Sequence, residues 1–320
     1  MTMEESAMPR KTEWAVSIDK LKVCLSQPQE TFDYIRDHTS YYTSIDGMRV
    51  LEEDGYKLVV VEEDETAMTV ALDAMDDPGE YLRLGTFQFN GIGGRYQGRA
   101  FFSFENSSLY TIFGVTADGK KANWVDMLLP IAEDMGMAFN NVTEAEVALD
   151  TDVNIIYRLR RMIRDTAGYD MFLNGRKVES GVPLENYGEF FERTREQLSR
   201  VPTLYFKQSK ATDMSLKVYD KATELTEHSP EKAARYHEWL GWDRTDRIYR
   251  AEVTLHNTNI REFCERRSRW LAEQGEHGNA LGLLGMEEFR LDMFTNAADR
   301  MVYFRDRTSG GKVSIIDLLG

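Results

Sequence analysis

Hydrophobic and polar residues follow two periodicities along this chain, and each periodicity predicts one kind of element. Short runs rich in β-branched and aromatic residues, separated by Asp, Gly and Pro clusters, predict strands. Apolar residues at three- and four-residue spacing predict helices with one buried face. The predicted strands are 56–61, 67–72, 81–90, 98–105, 143–150, 203–209, 214–220 and 247–256. The predicted helices are 124–139, 155–163, 184–198, 259–273 and 286–298.

The order of these elements predicts the α+β class. Consecutive strands joined by short polar segments are typical of antiparallel meanders, and most of the helices follow later. We therefore expect a mostly antiparallel central sheet with helices packed on one face and a C-terminal helical segment. Neither a repeat nor a linker is evident. The expected division is an α+β region over 1–257, with an acidic strand region over 1–140, and a helical segment over 258–320 packed on the same unit.

The glycine-rich segment Gly91–Gly98 lies between two predicted strands. Glycine-rich loops that bind phosphate normally open a helix, because the N-terminal amides of the helix face the anion. No helix is predicted directly after this segment, so it is interpreted as the tip of a hairpin. Residues 210–213 predict a second hairpin.

The composition narrows the class of protein. A chain of 320 residues with 42% hydrophobic residues and seven prolines can bury a sizeable core, which excludes fibrous and largely disordered proteins. No apolar run approaches the roughly 18 residues of a membrane span, and the first residues lack a secretory signal. Cys24 and Cys264 have no metal-ligand spacing and are expected to be inert buried thiols. We expect a cytoplasmic protein with no membrane partner.

The net charge of -15, from 39 basic and 54 acidic residues, argues at first against a nucleic-acid partner. The acids are concentrated in the N-terminal part, since residues 1–140 hold 12 basic and 24 acidic side chains and residues 141–320 hold 27 and 30. Residues 51–80 contain eleven acidic residues and one basic residue, Lys57. The average therefore hides a C-terminal part that is close to neutral, and nucleic-acid binding there is not excluded.

Three predicted strands alternate between apolar and polar residues, and their polar faces carry unusual chemistry. Side chains two residues apart share one face of a strand. The polar faces over 145–150, 214–220 and 250–256 hold Glu146 and Asp150; Ser215, Lys217 and Tyr219; and Arg250, Glu252, Thr254 and His256. One interpretation is three ordinary half-exposed strands whose polar sides face water. The other is a shared site, which requires that the strands be neighbours.

A shared site would bring the carboxylates of Glu146, Asp150 and Glu252 together. Their mutual repulsion is unfavourable unless a cation lies between them. Oxygen ligands suit Mg²⁺ or Mn²⁺, and His256 offers a nitrogen ligand. A divalent ion beside Tyr219 would be an arrangement for phosphoryl transfer, in which the metal polarises phosphate oxygens and the phenol is the nucleophile.

Two segments around Tyr219 and Glu252 resemble a known family. Residues 215–222 (Ser-Leu-Lys-Val-Tyr-Asp-Lys-Ala) and 249–255 (Tyr-Arg-Ala-Glu-Val-Thr-Leu) are similar to two motifs of the Rep-trans replication initiation factors of small rolling-circle plasmids. Related relaxases of integrative conjugative elements share these motifs. Further similar segments, in the same order, are 102–106, 124–139, 146–150 and 298–304. The resemblance extends from about residue 56 to residue 307, which is most of the chain.

The resemblance implies an enzyme that nicks one DNA strand at an origin. Tyr219 stands at the position of the tyrosine that attacks a phosphodiester, becomes linked to the 5′ phosphate and frees a 3′ hydroxyl as primer. Glu146, Asp150 and Glu252 stand at the positions of the ligands for Mg²⁺ or Mn²⁺. The implied partners are origin DNA, as a single-stranded or hairpin nick site with flanking duplex, a host helicase and a second copy of the chain.

Three basic residues join Tyr219 in this interpretation. Lys217 shares its strand face and is expected to stabilise phosphate charge. Lys221 shares that face if the strand continues, and Arg250 is expected to clamp a phosphate through two hydrogen bonds.

Two predicted helices carry arginine clusters. The clusters are Arg158, Arg160, Arg161 and Arg164 in the first helix and Arg261, Arg266, Arg267 and Arg269 in the second. The simpler interpretation is a solvated helix face. The functional interpretation is a DNA-binding surface that contacts phosphates, and binding there would depend steeply on salt.

Two other functions remain open at this point. The first is a non-catalytic DNA-binding or regulatory protein on the same fold, in which the carboxylate face has lost its metal. The second is an unrelated acidic interaction module, in which the three polar strand faces would not converge.

Overall fold

A computed structural model describes residues 13–41, 48–75, 79–111, 122–187, 189–193, 202–207, 214–240, 242, 247–273 and 279–320. The strands are β1 (Trp14–Ser26), β2 (Val50–Glu53), β3 (Tyr56–Glu63), β4 (Ala67–Met75), β5 (Tyr81–Asn90), β6 (Arg99–Phe104), β7 (Ala138–Thr151), β8 (Tyr169–Leu173), β9 (Arg176–Lys177), β10 (Glu189–Arg193), β11 (Thr203–Lys207), β12 (Ser215–Asp220), β13 (Tyr249–His256), β14 (Val302–Asp306) and β15 (Lys312–Val313). The helices are α1 (Gln29–Tyr41), α2 (Trp124–Asp134), α3 (Ile155–Arg164), α4 (Lys221–His228), α5 (Pro230–Leu240), α6 (Asn257–Glu273), α7 (Ala280–Gly285) and α8 (Glu287–Met301).

The chain forms two compact units that are interleaved in sequence. The first unit takes the described residues within 1–16, 148–253 and 291–320, and the second takes those within 17–147 and 254–290. Strands β1, β7 and β13 contribute residues to both units. The sequence predicted a boundary between residues 257 and 258, whereas the units change between residues 253 and 254 and between residues 290 and 291. The segment expected to be helical also contains strands β14 and β15.

In the second unit the order of strands is β7-β1-β6-β5-β4-β3-β2. Strands β2 to β6 form a meander, and β1 and β7 extend the sheet beyond β6. Each neighbouring pair from β1 to β2 along this order is antiparallel. The core of the meander contains the fully buried rings of Phe87, Phe89 and Phe102. Gly85 allows this packing, since a Cβ atom there would lie 2.5 Å from the Phe102 ring and 2.4 Å from the carbonyl oxygen of Ser103.

In the first unit the strand order is β10-β11-β12-β13-β7, and β10, β11 and β12 pair antiparallel. A smaller sheet has the order β15-β14-β8-β9. Helix α3 packs against β12 and β8 through its buried apolar face, which includes Ile155 and Leu159. Helices α4 and α5 form a second cluster around Leu225, Tyr236 and Ile248.

The α+β class with a large antiparallel sheet is therefore confirmed. Strand β5 matches its prediction residue for residue, and β3, β4, β6, β12, β13, α3, α6 and α8 lie close to theirs. Among the described residues, no helix is long and apolar enough to cross a membrane.

Two predicted helices differ from the structure. The helix predicted over 124–139 ends at Asp134, because Gly136 adopts a left-handed φ of 71° and β7 begins at Ala138. The helix predicted over 184–198 is wrong over its described part, which forms a short 3-10 helix and then β10. The backbone of Phe190 and Phe191 pairs antiparallel with that of β11. Residues 194–200, and the hairpin predicted at 210–213, lie outside the described residues.

Candidate active site on strands β12 and β13

Strand β12 presents Lys217 and Tyr219 on its polar face. Leu216 and Val218 point to the opposite side and are fully buried, so the two polar side chains must point away from that core. Strand β13 is the neighbour of β12 in the sheet and carries Glu252. The adjacency that the resemblance required of these two strands is therefore present in the first unit.

Glu252 is the centre of this arrangement. Its Oε2 atom accepts a hydrogen bond of 3.1 Å from the phenol of Tyr219, and its Oε1 atom lies 3.0 Å from the Nζ atom of Lys217. The Glu252 side chain is 4% exposed, whereas that of Lys217 is 40% exposed. A buried carboxylate thus holds the tyrosine hydroxyl, while the cation that neutralises it extends to solvent. A phenol within hydrogen-bond distance of a carboxylate has a base to which it can pass its proton.

A second cluster adjoins Glu252 and is closed. The Nε and Nη2 atoms of Arg250 donate to the two carboxylate oxygens of Asp150, each at 2.8 Å, and both side chains have no exposure. The hydroxyl of Tyr236, from α5, donates to Asp150 at 3.1 Å and accepts a hydrogen bond from Arg250. The Nη1 atom of Arg250 lies 4.0 Å from Glu252. This cluster fixes α5 against Asp150 of β7 and Arg250 of β13.

This geometry corrects two expectations. Asp150 is not available as a metal ligand, because its carboxylate is engaged in a two-bond ion pair with Arg250 and a hydrogen bond from Tyr236. Arg250 does not clamp a phosphate of the substrate, because its guanidinium is sealed from solvent and bound to Asp150. A buried charge keeps its internal partners, since losing them would leave it unpaired in a medium of low dielectric.

Lys221 lies near Tyr219 for a different reason from the expected one. The strand ends at Asp220, whose side chain accepts a hydrogen bond from the backbone N–H of Thr223 and so caps α4. Lys221 therefore begins a helix and does not continue the strand face. Its ammonium is nearly buried, pairs with Glu224 at 2.8 Å and lies 5.8 Å from the centre of the Tyr219 ring.

In the second unit, Glu146 lies beside an acid that the sequence did not single out. The hydroxyl of Thr254 donates to Glu146 at 3.3 Å, and a carboxylate oxygen of Asp19, on β1, lies within 4.8 Å of a carboxylate oxygen of Glu146. Asp19 also accepts hydrogen bonds from the hydroxyl of Tyr110 at 2.6 Å and from the side-chain amide of Asn106 at 3.1 Å. Two carboxylates at this separation repel each other unless a proton or a cation is shared.

Asp19 and Tyr236 are two residues of these clusters that the sequence motifs did not indicate. The alternation along β1 gives one indication of Asp19. The buried positions shift from Val16 and Ile18 to Leu21 and Val23, so Asp19 and Lys20 both lie between buried residues and interrupt the alternation. Tyr236 has no comparable signal, since it lies within a charged helical segment with no motif of its own.

His256 lies at a different place from the expected ligand set. It lines a cavity of about 340 Å³ in the second unit together with Glu144 and Lys22. Its strand face is the one that carries Thr254, so it points to the side on which Glu146 accepts a hydrogen bond. His256 thus shares a cavity with Glu144. It is not one of the residues whose ligand atoms lie within 4.8 Å of the Glu146 carboxylate in the candidate metal group.

The two arginine helices differ in their local charges. Helix α3 has no acidic residue within its bounds, and Arg161 and Arg164 are exposed, while Arg158 donates to the carbonyl oxygen of Leu318 and Arg160 is half-buried. On α6 the arginines face acids. Three of them pair with carboxylates, Arg261 with Glu265 at 3.6 Å, Arg266 with Glu262 at 3.2 Å and Arg267 with Glu288 at 3.8 Å, while Arg269 donates to the Glu265 carbonyl oxygen at 3.3 Å. Helix α3 therefore has two exposed arginines and no acid within its own bounds, whereas three of the four arginines of α6 are paired with carboxylates.

Both cysteines are free and buried, as expected. Burial raises the pKa of the Cys264 thiol to about 12 and also raises the pKa of Cys24. A thiol that remains protonated at neutral pH is a poor nucleophile, so neither cysteine is a candidate nucleophile.

No protein-family model matches the chain, and no curated protein matches it. The resemblance to the Rep-trans initiators rests on the motifs quoted above and remains a prediction.

Proposed function

We propose that this protein is a replication initiator or relaxase that nicks one DNA strand through Tyr219. The observation that carries the proposal is the hydrogen bond from the Tyr219 phenol to Glu252, at 3.1 Å, with Lys217 on the other oxygen of the same carboxylate. A nucleophile, a base and a cation thus lie together at a half-exposed position. The triad fits a reaction in which a phenol displaces one oxygen of a phosphodiester.

In the proposed reaction the phenol oxygen of Tyr219 forms a bond to phosphorus, and the bond from phosphorus to the 3′ oxygen breaks. The phenolic proton passes to Glu252, and a proton from solvent completes the free 3′ hydroxyl. The DNA remains attached through a 5′-phosphotyrosine link. Lys217 faces solvent beside the attacking atom, so it is placed to contact a phosphate oxygen whose charge grows in the transition state.

We further propose that the reaction uses Mg²⁺ or Mn²⁺. The proposed ligands are Glu146, from the family resemblance, and Asp19, because its carboxylate lies within 4.8 Å of that of Glu146. Carboxylate oxygens are the ligands that these hard cations prefer. A divalent ion held by these carboxylates would stabilise negative charge on a phosphate. The hydrogen bonds from Tyr110 and Asn106 to Asp19 would hold that ligand in one orientation.

The nucleophile is tested by comparing two Tyr→Phe variants. Tyr219→Phe is expected to abolish nicking of a supercoiled plasmid that carries the DNA upstream of the protein's own gene, and to abolish the covalent adduct with single-stranded DNA. The matched control is Tyr249→Phe on β13, which removes a hydroxyl that accepts a hydrogen bond from Asn154, the N-cap residue of α3, and is expected to keep full activity. Equal activity of both variants would contradict the proposal.

The metal is tested by thermal unfolding in Mn²⁺ and in a chelator. The wild-type protein is expected to gain thermal stability with Mn²⁺, because an ion that binds only the folded state stabilises it. Glu146→Gln should lose this gain, whereas Asp73→Asn, which alters the ion pair of Asp73 on β4 with Arg83 on β5, should keep it. A wild-type protein that neither gains stability nor nicks DNA would instead be the non-catalytic DNA-binding protein considered above.

A further inference from the structure

The cavity that contains His256 has a second set of residues whose chemistry the proposed reaction does not use. Besides Glu144, Lys22 and His256, it is lined by Gln88, Tyr96, Phe101 and Thr143. All of these residues belong to the second unit. The volume of about 340 Å³ is within the range of sites that bind small organic groups.

Two aromatic rings form a corner in this cavity. The ring centroids of Tyr96 and Phe101 are 5.2 Å apart, and their planes are inclined by 80°. Tyr96 is 42% exposed, so its ring is accessible to a ligand. A flat heteroaromatic group can stack on one ring while its edge meets the other.

The glycine-rich hairpin tip holds Tyr96 in place. Gly93 and Gly98 adopt left-handed φ angles of 85° and 74°, which a residue with a side chain rarely takes. Successive turn hydrogen bonds run from Gly94 to Gly91 and from Gln97 to Gly94, each of 3.2 Å, and the amide of Arg99 donates to the carbonyl of Tyr96 at 3.0 Å. The ring is therefore presented by an ordered turn at the edge of the cavity.

Two cations lie beside the aromatic corner, although this part of the chain is acidic overall. The Nζ atom of Lys22 lies 5.5 Å from the centre of the Phe101 ring, and the guanidinium of Arg95 lies 5.1 Å from the centre of the Tyr96 ring. Lys20 neutralises Glu144 at 2.7 Å. An anion attached to the stacked group would therefore meet cations on two sides of the corner.

We propose that this cavity binds one unpaired base of single-stranded DNA, with the base on the Tyr96–Phe101 corner and a flanking phosphate near Lys22 or Arg95. Gln88, Thr143 and His256 would then meet the polar edge of the base. The inference rests on the proposed function only in taking single-stranded DNA as the substrate. The proposal adds a nucleotide-binding site next to the face of β13 that carries Thr254 and His256.

The test measures binding of a short fluorescein-labelled oligothymidylate by fluorescence anisotropy at low salt, in the Tyr219→Phe background so that no nicking occurs. Tyr96→Ala is expected to weaken binding about tenfold, because it removes a stacking ring. Tyr96→Phe keeps the ring and should bind within about twofold of the parent. Tyr34→Ala is the matched control, since Tyr34 is 45% exposed on α1 of the same unit and should leave binding unchanged.

A duplex of the same length distinguishes stacking from charge. Its bases are already stacked, so Tyr96→Ala should not change its affinity. Unchanged oligothymidylate binding in Tyr96→Ala, or an equal loss with the duplex, would overturn the inference. A Tyr96-dependent affinity in a protein that never nicks DNA would support the inference while refuting the proposed function. Nicking by a protein whose affinity ignores Tyr96 would do the reverse.

Discussion

Arg250 and Glu252 lie two residues apart on one face of β13, yet their surroundings are opposite in kind. Arg250 and its partner Asp150 are both sealed from solvent, and α5 closes over them through Tyr236. Glu252 is almost as buried, but its partner Lys217 extends to solvent. One strand face thus carries a closed ion pair and an open one, side by side.

The difference separates what holds the fold from what is available for chemistry. A closed pair cannot exchange its partners for a substrate, because either charge would be left unpaired in the interior. An open pair can do so, because Lys217 can be hydrated or can contact a phosphate while Glu252 accepts a proton. We expect the two pairs to respond differently to mutation, and the predictions below test that difference.

The largest expected effect is at the closed pair. Arg250→Met should lower the free energy of unfolding by about 3–5 kcal/mol, since it leaves the Asp150 charge buried without its cation. Urea unfolding followed by tryptophan fluorescence measures this, because Trp239 lies in α5 beside Tyr236. Arg161→Met, at an exposed position of α3, is the control and should change stability by at most about 0.5 kcal/mol. Equal losses in both variants would mean that the closed pair does not hold α5.

A smaller effect is expected at the open pair. Lys217→Met should lower the free energy of unfolding by about 1–2 kcal/mol, because Glu252 loses a hydrogen-bonded cation but keeps the Tyr219 hydroxyl. The same variant should reduce nicking strongly, since Lys217 is the solvent-facing cation beside the phenol. A loss of stability as large as that of Arg250→Met would remove the distinction between the two pairs.

Removing the hydroxyl of Tyr236 is expected to lower the free energy of unfolding less than Lys217→Met does, and to leave nicking activity unchanged. Tyr236→Phe removes the hydrogen bond to Asp150 and the one accepted from Arg250, which should cost about 1 kcal/mol, while the two hydrogen bonds from Arg250 to Asp150 remain. Nicking activity and covalent adduct formation should be retained, in contrast to Tyr219→Phe. A Tyr236→Phe protein that is stable yet inactive would show that the closed cluster takes part in the reaction.

The smallest effect concerns a third ion pair, at the surface of the first unit. Lys177 and Arg307 hold the pKa of Asp170 below its ordinary value. The stability that Asp170 contributes is therefore fully present above that ordinary value and is lost as the pH falls through the lower folded-state pKa. Thermal unfolding below about pH 4 should detect the loss. In Asp170→Asn this part of the pH dependence should disappear, and an unchanged pH profile would contradict the assignment.

Much of the sheet could be predicted because its signal is local. The runs that became β3, β4 and β5 are β-branched or aromatic and end at turn residues, so neighbouring positions alone indicate a strand. Strand β10 could not be predicted in this way. Its apolar residues fit a helical spacing, and only the pairing of Phe190 and Phe191 with β11 decides its structure.

The candidate site divides in the same manner. Alternation along a strand placed Lys217 with Tyr219 and placed Arg250 with Glu252, and the structure agrees on both. Alternation could not reveal that Lys221 begins a helix, because the strand ends at a helix N-cap, the local hydrogen bond from the Thr223 N–H to Asp220, which a two-residue repeat does not detect.

The sequence by itself determined which side chains share a strand face, because a strand repeats every two residues whatever surrounds it. It also determined that the acids are concentrated at 51–80, since charge is a property of composition. The tertiary structure alone decided which acid meets which cation. Register brought Asp150 to Arg250 and left Glu252 to Lys217 and Tyr219, and burial then made the first pair closed and the second open. Pairing depends on strands far apart in sequence, so no local pattern encodes it.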